Sequence, residues 1–101
     1  MPGQNRPQAV AEALRRLAPR MPAHEFTAVS DHVRGHAGLR GAAPETAAWL
    51  ALVSYVRHVF TDYDRLLDEG YDRDSARFFV AGEINAVLEG WGATRRVGDG
   101  E

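Results

Sequence analysis

The 101-residue chain contains no cysteine and no lysine. Without cysteine there can be no disulfide framework, no thiolate zinc site and no thiol nucleophile. All twelve basic residues are arginine, the composition a GC-rich genome produces, so arginine abundance is weak evidence for phosphate binding. No apolar run approaches the roughly 18 residues of a membrane span, and the start lacks the apolar stretch of a secretory signal. These features point to a cytoplasmic protein. The first twenty residues carry four arginines against Glu12 alone, which faintly matches an organellar transit peptide; a plain first helix accounts for the same pattern. No segment alternates or is rich in β-branched residues as a strand requires. The glycines are scattered, and none opens a phosphate-cradling turn between strand and helix.

What is present is ordinary for a folded domain: 45% hydrophobic and 26% charged residues. A globular chain of this size buries roughly 60 to 70% of its unfolded surface, enough for one modest core. The net charge is −2 and unevenly spread: residues 1–40 hold six arginines and three acids, residues 62–76 six acids and two arginines. A negative total argues against non-specific nucleic-acid binding, although a basic face built from N-terminal arginines stays open.

Prolines, glycines and capping residues divide the chain into helices, which predicts an all-α bundle of four to five helices in a single domain over residues 1–93. A first helix runs from about Pro7 to Ala18, with Val10, Leu14 and Leu17 at helical spacing. A second follows Pro22, turns Phe26, Val29 and Val33 inward, and frays around Gly35 and Gly38. The third opens on Pro44, where a missing N–H costs nothing. It is apolar nearly all round and hence central, with Trp49, Val53, Val56 and Phe60 as its seam and Leu52 and Val59 alongside. A short fourth helix spans Asp62 to Glu69 and stops at Gly70. The fifth, capped by Asp72, runs from about Arg73 to Trp91 with Phe79, Val80, Ile84, Val87, Leu88 and Trp91 buried. Residues 94–101 read as a disordered tail.

The densest chemistry lies in VRHVFTDYDRLLDEGYDRDSAR, Val56 to Arg77, with ten charged side chains and one histidine. At about 100° per residue, Ser54, Arg57, His58 and Thr61 share one arc of the third helix. A solvated helix end explains much of this, since Arg57 and a protonated His58 complement the helix dipole. Thr61 with Asp64 resembles a capping box, and Asp62, Asp72 and Asp74 sit in favourable first turns. Tyr63 between two aspartates and Arg77 beside the apolar stripe are left over. A guanidinium at a core edge needs a carboxylate, so Arg57, His58, Asp62, Tyr63, Asp64 and Arg77 are expected to meet at the junction of helices three, four and five.

RHVFTDYDRLLDEGYDRDSARFFV and the later INAVLEGWG resemble the core of the uncharacterised bacterial and eukaryotic family known as domain of unknown function 2293. LAPRMPAHEF and APETAAWLALVSYVRHVF are similar to its bacterial members, so the likeness spans about residues 14 to 97. It implies relatedness and a centre of interest from Arg57 to Asp64. It implies no activity.

Other constellations are sparser. His32 and His36, four apart, could chelate a metal if His24 or Asp31 joined them, and Asp62, Asp64 and Asp68 could gather around magnesium. Surface histidines and solvated acids explain both sets, so no metal or other cofactor is expected. His58 and Asp62 have the makings of a general base and its orienter, with Ser54 as the nearby nucleophile one turn away. Phe78 falls on the polar side of the fifth helix with Gly82, Asn85 and Glu89, as an aromatic knob beside a notch that suits a partner helix. Alternatively, the N-terminal helix folds back over it. The expected function is a non-enzymatic interaction module, a homodimer or the binder of another protein, that uses the Arg57 to Asp64 junction and the face of Phe78, Gly82 and Asn85. Two other classes stay open: nucleic-acid binding through Arg15, Arg16, Arg20, Arg34, Arg57, Arg95 and Arg96, and a hydrolase-like His/Asp site at the junction. No membrane partner is expected.

Overall fold

The computed structural model describes residues 5–98. Five helices follow one another: α1 (Arg6–Leu17), α2 (Ala23–Gly35), α3 (Pro44–Phe60), α4 (Tyr63–Asp68) and α5 (Arg73–Gly90), with one 3-10 turn at Ala37–Leu39. No strand occurs among the described residues. The all-α bundle read from the sequence is therefore the architecture observed.

The helix ends follow local chemistry. The Asn5 side chain accepts from the Gln8 N–H at 2.9 Å and starts α1 one residue before the proline signal. The Asp72 carboxylate accepts from the Ser75 N–H at 2.7 Å and opens α5 as expected. That bond holds the Asp72 carboxyl below its ordinary range. α4 and α5 both end on a glycine in the left-handed region, Gly70 at φ +102° and Gly92 at φ +86°. After each, the chain turns back: the Tyr71 N–H donates to the Leu66 carbonyl at 3.1 Å, and the Ala93 N–H to the Leu88 carbonyl at 2.9 Å. This is the glycine-terminated closure that satisfies carbonyls left over at a helix end. At Gly92 a side chain would also collide, because a Cβ would lie 3.0 Å from Pro19 Cγ.

α3 touches all four other helices. Ala47, Ala48, Trp49, Ala51, Leu52, Val53 and Val56 are buried along it, and Leu14, Val29, Ile84 and Leu88 close over them from α1, α2 and α5. Truncating one such buried leucine or isoleucine to alanine costs about 2–5 kcal/mol. Three expectations fail here. Phe60, placed in the α3 seam, and Val59, placed alongside it, are exposed, because the last turn of α3 runs past the bundle; Phe60 packs edge-on against Tyr55 and Trp91 instead. Phe79, placed on the buried face of α5, is 55% exposed. The buried stripe of α5 is Ala76, Val80, Ile84 and Leu88, and Phe79 lies more than a quarter-turn to its side.

The third concerns the tail. Residues expected to be disordered from 94 onward are docked as far as they are described. Val97 is 5% exposed, within the core. The Asn85 amide holds both of its main-chain groups, accepting from the Val97 N–H at 2.8 Å and donating to its carbonyl at 3.1 Å. Arg95 lies over the Trp49 ring, 4.1 Å from its centroid. Residues 99–101 lie outside the described residues.

Candidate binding surface at the junction of α3, α4 and α5

The sharp turn from α3 into α4 brings most of the predicted cluster together. Thr61 shapes it: its hydroxyl donates to the Arg57 carbonyl and accepts from the Tyr63 N–H at 3.2 Å. This positions Tyr63, only 3% exposed, as the anchor of α4. Arg57 stacks over the Tyr63 ring at 5.4 Å, and the His58 ring meets it edge-on at 5.3 Å. His58 Nδ1 lies 2.7 Å from Asp64 Oδ1. Arg57, His58, Thr61, Tyr63 and Asp64 thus form one contiguous unit.

The connections differ from the expected ones in three ways. Asp64 does not close a capping box with Thr61 but pairs with His58, while Asp62, the expected orienter of His58, binds Arg65 at 2.9 Å. Arg65 also reaches Glu69 at 2.6 Å, and the two carboxylates, Asp62 first, raise its guanidinium above the ordinary range. Neither of those aspartate bonds runs to Arg77, whose Nε is buried without a hydrogen-bond partner. Finally, Arg57 does not lie on a solvated arc: it is 8% exposed.

The His58–Asp64 contact is open to solvent, the two side chains being 45% and 60% exposed, and three concavities of the protein surface are all lined by residues outside this cluster. Exposed pairs of this kind contribute at most about 1 kcal/mol to stability.

The outer side of the first half of α5 is aromatic. Phe78 and Phe79 are each 55% exposed and Tyr71 46%. Their rings meet edge to face, Tyr71 with Phe79 at 5.5 Å and Phe78 with Phe79 at 6.0 Å. One turn on from Phe78, Gly82 faces open space, with Ala86 and Gly90 following at four-residue spacing. α1 packs on α3 and α2 and leaves Phe78 uncovered. Asn85 drops out of the expected partner face, because its amide is engaged by Val97.

Sequence reading missed one buried polar pair. Glu25, 9% exposed, accepts a hydrogen bond from the Tyr55 hydroxyl, with His24 Nε2 3.5 Å from its other oxygen. The bond to Glu25, then burial, then the charge of Glu25 push the Tyr55 phenol up to about 12. The signal was present: Glu25 shares a four-residue stripe with Val29 and Val33, and an acid there needs a partner. His32 and His36 sit with ring centroids 5.6 Å apart. Burial, then His36 and His58, holds the His32 imidazole below its ordinary value. Among the described residues no group of three His, Asp or Glu side chains is placed to hold a metal ion, and no helix is long and apolar enough to cross a membrane.

The arginines considered for nucleic acid are mostly engaged within the chain. Arg15 lies over Phe26 at 4.8 Å, Arg16 pairs with Glu45 at 2.7 Å and Arg34 pairs with Asp31. Arg20 donates to the Glu89 carbonyl at 3.5 Å, and Arg57 and Arg95 stack on aromatic rings.

Fold and surface together define a small all-helical module organised around one apolar helix. Residues 13–92 match the family described as Uncharacterized conserved protein (DUF2293), and the chain belongs to that family. Membership brings no activity with it. No curated protein and no solved structure matches the chain.

Proposed function

We propose that this is a cytoplasmic, non-enzymatic binding module that associates through the outer face of α5, with a second copy of the same chain as the occupant and the Arg57 to Asp64 unit at the edge of the contact. The observation that carries the reading is Gly82. A glycine inside a helix costs about 0.5–1 kcal/mol relative to alanine. Here nothing among the described residues requires it: its φ is not positive, and an added Cβ would meet none of them within 4 Å. Beside it two phenylalanines expose more than half their surface. A ridge of rings next to a strip of small residues on one helix face is self-complementary. Two copies related by a two-fold axis would seat each ridge in the other's notch. The desolvated aromatics would then act as the anchors of the contact.

The test is sedimentation equilibrium of wild type, Gly82→Ala and Phe78→Ser/Phe79→Ser, with unfolding measured at a concentration where the protein is monomeric. Gly82→Ala should raise monomer stability by about 0.5–1 kcal/mol while weakening self-association, and the serine pair should abolish association with the fold intact. A wild type that stays monomeric up to millimolar concentration, or a Gly82→Ala protein that associates as well as wild type, overturns the assignment.

A further inference from the structure

Between the start of α1, the second half of α2 and the segment after the 3-10 turn lies a cavity of about 170 Å³, lined by Arg6, Pro7, Val10, Ser30, Val33, Arg34 and Arg40. Three guanidinium-bearing residues line it and no acid does. Only Arg6 has an evident architectural role. It donates through Nη1 to the Ala42 carbonyl and through Nη2 to the Leu39 carbonyl, each at 2.6 Å, tying α1 to the connection before α3. Carbonyls take its donors but do not cancel its charge. Arg34 is largely neutralised by Asp31. Arg40 is exposed and makes no ion pair among the described residues. Ser30 contributes to the wall, but its hydroxyl is buried beneath it, out of reach of a ligand. The remaining wall is apolar, with Val10 4% and Val33 8% exposed.

We propose that this cavity is a binding site for a small organic carboxylate with a compact apolar body. The charge left over at Arg6 and Arg40 calls for one anionic group. The Arg40 guanidinium, with the N–H groups that Arg6 and Arg34 do not spend on Ala42, Leu39 and Asp31, suffices for a planar carboxylate, which a guanidinium grips through two parallel bonds. A phosphate suits the site less well, because it is polar on every side and the wall of Pro7, Val10 and Val33 offers it no hydrogen-bond partner. Val10, Val33 and Pro7 take the body, and the volume limits it: a cavity of about 150 Å³ accommodates a benzene ring. Arg6, Pro7 and Val10 precede the span that carries the family match, so the site does not follow from family membership. It is also independent of the α5 face.

Benzoate is the probe, with benzamide as its uncharged isostere and inorganic phosphate as a plain anion, each titrated into the full chain while amide resonances are followed by NMR. Benzoate should shift the signals of Ser30, Val33 and Arg40 saturably, and benzamide should bind at least about tenfold more weakly, the loss of one charge-assisted contact. Arg40→Gln should weaken benzoate by a similar factor with the helical spectrum unchanged. The proposal is overturned by unsaturable benzoate shifts, by equal affinity for benzamide, by phosphate binding tighter than benzoate, or by affinity unchanged in Arg40→Gln.

Discussion

Replacing Tyr55 by phenylalanine removes one hydroxyl and leaves the Glu25 carboxylate, with a side chain only 12% exposed, relying on His24 at 3.5 Å. A hydrogen bond to a charged group is worth about 1.5–3 kcal/mol net, and stranding the acceptor adds to the loss. Tyr55 is half-buried, so water replaces part of the bond, and we expect Tyr55→Phe to cost about 2 kcal/mol. For a domain of this size that lowers the midpoint of thermal unfolding by about 4–8 °C per kcal/mol. Glu25→Gln keeps an accepting oxygen and should cost about half as much. The decisive quantity is the coupling energy from urea unfolding of wild type, Tyr55→Phe, Glu25→Ala and the double variant, expected at about 1.5–2 kcal/mol. Alkaline pH provides an independent check. The phenol is raised from 10.0 to about 12, so the fold favours the neutral form. The contribution is complete below pH 10 and disappears as pH rises through 12. Tyr55→Phe should remove that part of the alkaline limb. A coupling below about 0.5 kcal/mol, or an alkaline limb identical in the variant, would show that the two side chains do not act as a pair.

Two further outcomes follow from the same reasoning. Because the His32 imidazole is held below 6.5, its contribution to stability is present above that pH and is lost as pH falls toward the depressed value. His32→Gln should therefore flatten the acid limb of a urea-midpoint profile between neutral pH and pH 5. Asn85→Ala deletes both bonds to Val97 and should cost about 1–2 kcal/mol. It should also accelerate amide hydrogen exchange at Val97 well beyond that of the α3 core; unchanged exchange there would show that the amide does not hold the segment.

The helices were legible because their signals are local: Pro44, Asp72, Gly70 and the four-residue stripes each act within a turn or two of chain. The junction was half legible for the same reason. Arg57, His58, Thr61, Tyr63 and Asp64 are at most seven residues apart, and the turn at Thr61 forces them together. What misled was the choice among near-equivalent partners. Asp62 and Asp64 flank Tyr63, and only the rotation of α4 decides that the second reaches His58 while the first reaches Arg65. Phe79 departs from expectation because hydrophobicity is not burial, and the wheel of α5 sets it outside the Ala76–Val80–Ile84–Leu88 stripe. The Glu25–Tyr55 bond, the tail contact and the arginine-lined cavity join residues 12 to 36 positions apart. Such contacts depend on how the helices pack, and periodicity within one helix carries no information about them.

The two-point grip of Asn85 on Val97 has the geometry of a neighbouring strand rather than of a cap, and it therefore fixes register. Sliding the segment by one place would push Arg96 or Gly98 into the slot that Val97 fills, desolvating a cation in one case and leaving a void in the other. The stretch from Gly92 to Val97 thus behaves as a measured strap, for which length matters more than the identity of the residues in between.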